Sequence, residues 1–376
     1  MALRLLFLIT FLLSSLVASA QESLSKVAKI SVLTCSEGPE LHAAFGHSAI
    51  HVYDPGKGID EVYNYGTFDF GAPNFYLNFI KGKLDYFLSV TDYQTFSAYY
   101  AYVGREVVRQ TLNLNQEQKE EMYRLLVENE RPENRYYRYD FLKENCATKI
   151  PDLLEQSLGE SFKMSTVYDG QNLTYRSTLH EHLPLYSWNR FGIDILLGAR
   201  VDQTLTTSAL VYLPNYLRSI LKTSTAETQS LVRNSRIEIA KKLPEVTSTF
   251  WTSPRLILIV LVLYALLSLW MGNSKGVFNL VDHMLLLLAG IAGLLLTFLN
   301  FISEHYATVY NFSIFWANPL LLAAAVLKSK TLFQSICLFS LLFILVGLLG
   351  IQYISIEMVL ASVLVITLSL KQTQKL

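Results

Sequence analysis

"FGHSAIHVYDP", residues 45–55, decides how the chain folds around its chemistry. His47 and His51 stand four apart, which suits one face of a helix or one face of a strand. Ser48, Ile50 and Val52 alternate with His47, Ala49, His51 and Tyr53, and a period of two is the strand pattern. "KISVLTC" (29–35) before it is β-branched and apolar. "DPGKGID" after it carries turn residues, and "EVYNYGTF" returns as the second strand of a hairpin. Two pleats separate the histidines by roughly 13 Å, too far to share one metal ion. The spacing therefore points to a general base, and no other His/Cys/Asp cluster has zinc spacing.

Outward from this hairpin the 376 residues divide in composition. Formal charge is zero, so no basic footprint suggests nucleic acid, and 51% of residues are hydrophobic. Residues 255–376 hold nine charged side chains: Arg255, Lys275, Asp282, Glu304, Lys328, Lys330, Glu357, Lys371 and Lys375. Residues 21–250 read as a soluble domain with its core at about 29–200, and 251–376 as a membrane domain. The start has a lone Arg4, an apolar run Leu5–Leu13 and Ala18-Ser19-Ala20, the pattern of a cleaved export signal over 1–20. An uncleaved anchor helix is the alternative.

Apolar stretches at Leu256–Met271, Met284–Phe301, Phe312–Leu327, Phe333–Ile351 and Ile354–Leu370 predict about five transmembrane helices, the third weakened by Asn318-Pro319. With the soluble domain outside, Lys275, Lys328, Lys330, Lys371 and Lys375 all fall on the inner side, as the positive-inside pattern requires, and the C-terminus is cytoplasmic. The outer segment "SEHYATVYNFSIFWANP" (303–319) holds Glu304, His305, Asn311 and Trp316. It reads either as an interfacial aromatic belt or as a polar platform that seats a lipid. Glu357 inside the last span is a functional candidate or a group reaching the surface.

A base calls for a nucleophile. Of the three cysteines, Cys337 lies in an apolar span and Cys35 ends a strand. Cys146, in "YRYDFLKENCATKIPDLLEQSL", precedes Ile150, Leu153, Leu154 and Leu158 at helical spacing, with Asn145 and Thr148 as caps. A thiol at a helix start gains from the dipole, which predicts a lowered pKa and an oxyanion site at the backbone N–H groups near 146–148. A Cys35–Cys146 disulfide remains open at this point.

The order of a histidine on a strand and then Asn-Cys before a helix resembles the circularly permuted papain-like (NlpC/P60-like) thiol enzymes, including the lecithin retinol acyltransferase group. More closely, "LTCSEGPELHAAFGHSAIHVYDP", "VYNYGTFDF", "NFIKGKLDYFLS" and "YDFLKENCATKI" resemble the Lnb N-terminal periplasmic domain family, and "SEHYATVYNFSIFWANPL" resembles that family's membrane half. The resemblance covers nearly all of the chain after residue 20. Pro151 departs from it, and because proline belongs in a first helical turn it puts the helix start near Thr148.

The resemblance implies an α+β permuted papain-like domain in the periplasm, held to the bacterial inner membrane by the multi-pass bundle. It implies lipoprotein N-acyltransfer: an acyl chain moves from a membrane phospholipid through a Cys146 thioester to the α-amine of a diacylglyceryl-cysteine lipoprotein. No cofactor or metal is needed. Cys146 is then the nucleophile and His47 the base, with Asn64 orienting it and His51 and Asp69 as rivals for that role. Ser48 and Asn145 flank the site. Lys81 and Lys83, with Tyr86 and Phe87, suit phospholipid headgroups or a solvated turn; His305 and Asn311 belong to the outer platform. Aromatics in "YQTFSAYYAY" (93–102) either roof the thioester or pack the core. A thiol peptidase or amidase, a phospholipase, and a disulfide-stapled receptor are the other readings.

Overall fold

The computed structural model describes residues 23–272 and 277–375. The export-signal stretch at 1–20 and Lys275 lie outside them. Among the described residues ten strands run β1 Lys29–Cys35, β2 His47–Asp54, β3 Ile59–Thr67, β4 Asp85–Asp92, β5 Val107–Leu112, β6 Tyr136–Arg138, β7 Phe162–Lys163, β8 Thr225–Ala226, β9 Gln229–Ser230 and β10 Val232–Ile239. Seven form one antiparallel sheet, in the order β10-β5-β1-β2-β3-β4-β6, and β7–β9 make a small second sheet. The β2–β3 hairpin turns where expected: Asp54 accepts the Gly56 N–H, and Gly58 takes a positive φ of 70°.

Helices cover both faces of the large sheet. They are α1 Phe75–Lys81, α2 Tyr93–Val103, α3 Gln116–Glu130, α4 Lys149–Leu158, α5 Tyr175–His180, α6 Trp188–Leu196, α7 Thr207–Leu210 and α8 Pro214–Thr223. On one face α2 lays Phe96 and Tyr100 against Leu33, Cys35, Ala49, Val62 and Val107. The 93–102 aromatics buried there serve the core. On the other face α3, α4 and α8 bring Met122, Leu126, Ile150, Leu154, Leu217 and Ile220 onto Ile30, Val32, Ile50 and Val52. A sheet covered on both sides explains why every residue of β1 after Lys29 is buried.

The C-terminal region is helical: α9 Pro254–Trp270, α10 Val277–Phe301, α11 Leu320–Leu327, α12 Lys330–Leu348 and α13 Ile356–Lys375. Among the described residues, three segments are long and apolar enough to cross a membrane: Asn279–Phe301, Lys330–Leu348 and Ile356–Lys375. The other two expected spans are shorter. The helix α9 has 17 residues, about 25 Å at 1.5 Å per residue against a hydrocarbon core of about 30 Å. Pro319 divides the second into a 3-10 turn, Phe312–Phe315, and the eight-residue α11.

Two charged side chains of this region sit differently from the sequence expectation. Lys371 is not a tail charge: α13 continues past it, and its buried ammonium pairs with buried Asp282 at 2.8 Å beside Ser268. Glu357, in the first turn of α13, is buried against Arg255 at 2.8 Å. The soluble and helical regions are joined by backbone. Gly198 N–H donates to Ala307 and Ala199 N–H to Tyr310, while the Asn311 amide donates to the Ile195 and Leu196 carbonyls. A side chain at Gly198 would lie 2.1 Å from the Val309 oxygen, so only glycine permits the approach.

Candidate functional site

Cys146 is reached through a sequence of tight turns. After β6 the Asp140 carboxylate accepts the N–H groups of Leu142 and Lys143. Asn145 is then fully engaged. Its Oδ1 accepts the N–H groups of Ala147 and Thr148 at 2.7 and 3.0 Å, and its amide donates to the Phe141 and Tyr212 carbonyls. Asn145 thus holds the cysteine turn and has no group left for a substrate. The helix α4 follows with Thr148 as its N-cap and Pro151 in its first turn.

The thiol is free and partly exposed; Cys35 is free and fully buried, so the two are not bridged. Burial pushes the Cys35 thiol up to about 12, which leaves it inert. At Cys146 burial also raises the thiol pKa, opposed by the backbone N–H groups of Ser48 and Cys146, in lesser part by Ala147, whose N–H already serves Asn145, and by the nearby Arg105 guanidinium. The lowered pKa expected from the helix dipole is therefore not what the site delivers. The helix begins three residues later, and Asn145 already takes the N–H groups of Ala147 and Thr148.

Gly66 shapes the space beside the sulfur. It has a φ of +86°, at the irregularity in the β3–β4 ladder between Asn64 and Thr67. A methyl group there would lie 3.5 Å from Cys146 Cβ, 3.8 Å from Cys146 N and 3.9 Å from the Tyr137 hydroxyl oxygen. The space is thus bounded by a thiol-bearing carbon and two hydrogen-bond donors.

His47 opens β2, directly before Ser48, whose N–H faces the sulfur. Its Nε2 lies 3.3 Å from Asn64 Oδ1, while the Asn64 amide donates to the Val62 carbonyl and to Thr91. A carbonyl only accepts, so the Asn64 NH2 is committed and its oxygen must receive Nε2–H of the ring. Nδ1 is then the basic nitrogen. Burial, with a smaller repulsion from Arg105, depresses the His47 pKa from 6.5 to about 4 even against the Asn64 hydrogen bond. Among the described residues, sulfur and imidazole are not hydrogen-bonded to each other; such bonds commonly tighten only with substrate in place.

The second histidine belongs to a network. His51 Nδ1 accepts from Arg109 at 2.6 Å, and Nε2–H donates to Asp60 at 2.7 Å, while Arg109 also meets Glu238. Both ring nitrogens are used and Tyr93 stacks on the ring, so His51 is a core polar group. Asp69, the other rival to Asn64, is exposed and accepts the Gly71 N–H in its own turn.

Ser48 is buried behind the sulfur, and its hydroxyl has no hydrogen-bond partner among the described residues. Tyr86 is buried and stacks on Tyr139 at 3.9 Å. Lys83 pairs with Glu304 at 3.0 Å, the Lys81 carbonyl accepts the Glu304 N–H, and His305 Nε2 donates to the Phe79 carbonyl. His305, Asn311 and the two lysines therefore gather where the soluble domain meets the helical region, not around the sulfur. Three neighbours of Cys146 escaped the sequence reading: Tyr137, Tyr139 and Arg105. The only signal for the tyrosines was alternation in "YYRY" just upstream of the cysteine; Arg105 had none.

Comparison with known families places two matches on this frame. Residues 19–181 match the Lnb N-terminal periplasmic domain, and residues 245–374 match the Lnb transmembrane domain. No curated protein and no solved structure matches the chain.

Proposed function

Because the chain belongs to the Lnb family, we propose that it is a lipoprotein N-acyltransferase working through Cys146. The observation that carries the proposal is the surroundings of the thiol. It is free and partly exposed, with the backbone N–H of Ser48, the residue after His47, beside it, and His47 itself is held in one tautomer by Asn64, in a domain built onto apolar helices. The soluble domain is then periplasmic, with the order of His47 and Cys146 that suits a permuted papain-like enzyme, and the helical region lies in the inner membrane.

In the first half-reaction Cys146 Sγ attacks an ester carbonyl of a membrane phospholipid while His47 Nδ1 takes the thiol proton. Burial starts the imidazole neutral, and the negative charge that appears beside it raises its proton affinity as the proton arrives. The oxyanion occupies the space beside Gly66, which Cys146 N and the Tyr137 hydroxyl oxygen border. As the C–O bond breaks, His47 returns the proton to the leaving alkoxide, releasing lysophospholipid and leaving the acyl thioester. In the second, the α-amine of a diacylglyceryl-cysteine lipoprotein attacks the thioester carbonyl. His47 takes a proton from nitrogen, the C–S bond breaks, and the proton returns to sulfur. No cofactor enters the scheme.

The test is transfer by the full chain in phospholipid vesicles to a synthetic diacylglyceryl-cysteine peptide, followed by the peptide's mass. The peptide should gain one acyl chain. The gain should vanish in Cys146→Ala and slow by roughly 10²–10⁴-fold in His47→Ala, the usual worth of general acid–base help. Free fatty acid in place of acylated peptide would make the protein a phospholipase and overturn the proposal.

A further inference from the structure

We infer that α1, with the Phe68–Phe70 segment before it, lies in the headgroup layer of the leaflet facing the soluble domain and opens an aromatic passage for an acyl chain to Cys146. The passage rests on the proposed acyl transfer; the placement of α1 in lipid does not.

The helix α1 is seven residues, "FYLNFIK". Phe75 turns inward, with its ring 5.0 Å from Phe70 and 6.0 Å from Phe68. Tyr76, Leu77, Phe79 and Ile80 turn outward and are 40–72% exposed, and Phe70 beside them is 62% exposed. A contiguous apolar patch of this kind marks a contact surface.

What covers it follows from where α1 is tied. The Glu304 N–H donates to the Lys81 carbonyl at 2.9 Å, His305 Nε2 to the Phe79 carbonyl at 2.8 Å, and Lys83 pairs with Glu304. Gly82, at φ +71°, brings the chain so close that an added Cβ would lie 3.0 Å from His305 N and 3.1 Å from the Glu304 carbonyl carbon. Residues 304 and 305 are only three and four positions past Phe301, where the apolar span ends. Three residues reach about 10 Å at full extension. A headgroup layer is about 5–7 Å deep on each side of the hydrocarbon, so the patch is held at the depth where amphipathic helices settle.

Behind the patch the aromatic contacts continue to the thiol. Phe75 meets Phe68, Phe68 meets Tyr86 at 5.1 Å, and Tyr86 stacks on Tyr139. Tyr86 also pairs across the sheet with Tyr137, whose hydroxyl borders the Gly66 space beside Cys146. Phe68, Phe75, Tyr86, Tyr137 and Tyr139 form one apolar cluster. An acyl chain leaving the bilayer along α1 parts these packed rings and moves between apolar side chains.

The test uses full-length Leu77→Trp in vesicles of ordinary or brominated phosphatidylcholine, with wild-type fluorescence subtracted for the native tryptophans. Tyr102→Trp, at an 89% exposed position on α2, is the control. Brominated lipid should quench the tryptophan added at 77 and spare the one at 102. No quenching at 77 overturns the placement. In a second arm, Leu77→Glu/Ile80→Glu should lose acyl transfer from vesicle phospholipid while a small water-soluble maleimide still alkylates Cys146 at the wild-type rate. Transfer at the wild-type rate overturns the passage. Quenching in Leu77→Trp, with no acyl transfer by the wild-type protein, supports the placement and refutes the reaction.

Discussion

At Cys146 opposing forces act on one proton. Removal from water favours the thiol, the backbone around it, chiefly at Ser48 and Cys146, and Arg105 favour the thiolate, and burial prevails. Alkylation of Cys146 by a small electrophile should therefore still be rising at pH 9, the value of an unperturbed thiol, when followed by stopped-flow or mass analysis. His47 moves the other way in consequence. With its pKa lowered from 6.5 to about 4, it keeps its basic nitrogen free at pH values where an ordinary imidazole would be protonated. The acid limb of kcat/KM for acyl transfer should thus fall well below pH 6.5, and a limb centred at 6.5 would contradict the assignment. Tyr137→Phe removes a donor facing the Gly66 space and should slow transfer by roughly 10²–10³-fold with the fold intact by circular dichroism. The residue pattern made His47, Cys146 and Asn64 legible as candidates because each stands in a local motif. The thiol's true electrostatics were not, because they depend on Asn145 capping the turn and on how much sheet closes over the sulfur. Tyr137 was hidden because it reaches the site only through β6 pairing with β4 at the sheet edge.

Among elements, the strands were the most readable. The β2 strand runs His47–Asp54 as its alternation implied, and β1 matches "KISVLTC". Helix α4 begins at Lys149, where Pro151 required. What fixes the loop before α4 is a single side chain, Asn145, with four hydrogen bonds in a buried setting. Asn145→Ala leaves two N–H groups and two carbonyls without that partner and should cost about 1–3 kcal/mol, read as a lower thermal midpoint. Transfer should fall further than stability explains, since Cys146 loses its turn. The apolar stretches were legible as membrane-directed helices but not their lengths. Pro319 splits one of them, and the outer segment 303–319 spends its polar groups on docking the soluble domain, a use that no local pattern announces.

At the scale of the whole molecule, the soluble domain and the helices are one construction joined at 195–199 with 307–311 and at 79–83 with 304–305. Within the helices, Lys371 of α13 meets Asp282 of α10 and Ser268 of α9. Composition placed Lys371 among the inner-side charges; only the packing of three helices reveals its partner. Asp282→Ala removes the carboxylate partner of a buried ammonium and should cost about 3–5 kcal/mol, whereas Asp282→Leu with Lys371→Met should recover most of it, as detergent-solubilised melting curves would show. Such a frame fixes a thiol-bearing domain onto apolar helices. The central claim is that acyl chains pass through that thiol, and intact mass analysis of the full chain after incubation with phospholipid vesicles reads it directly. The account predicts one acyl chain in hydroxylamine-labile linkage at Cys146, absent from Cys146→Ala and discharged by adding a diacylglyceryl-cysteine peptide. A protein that acylates the peptide while Cys146 never carries the chain, or that does so as Cys146→Ala, would contradict it.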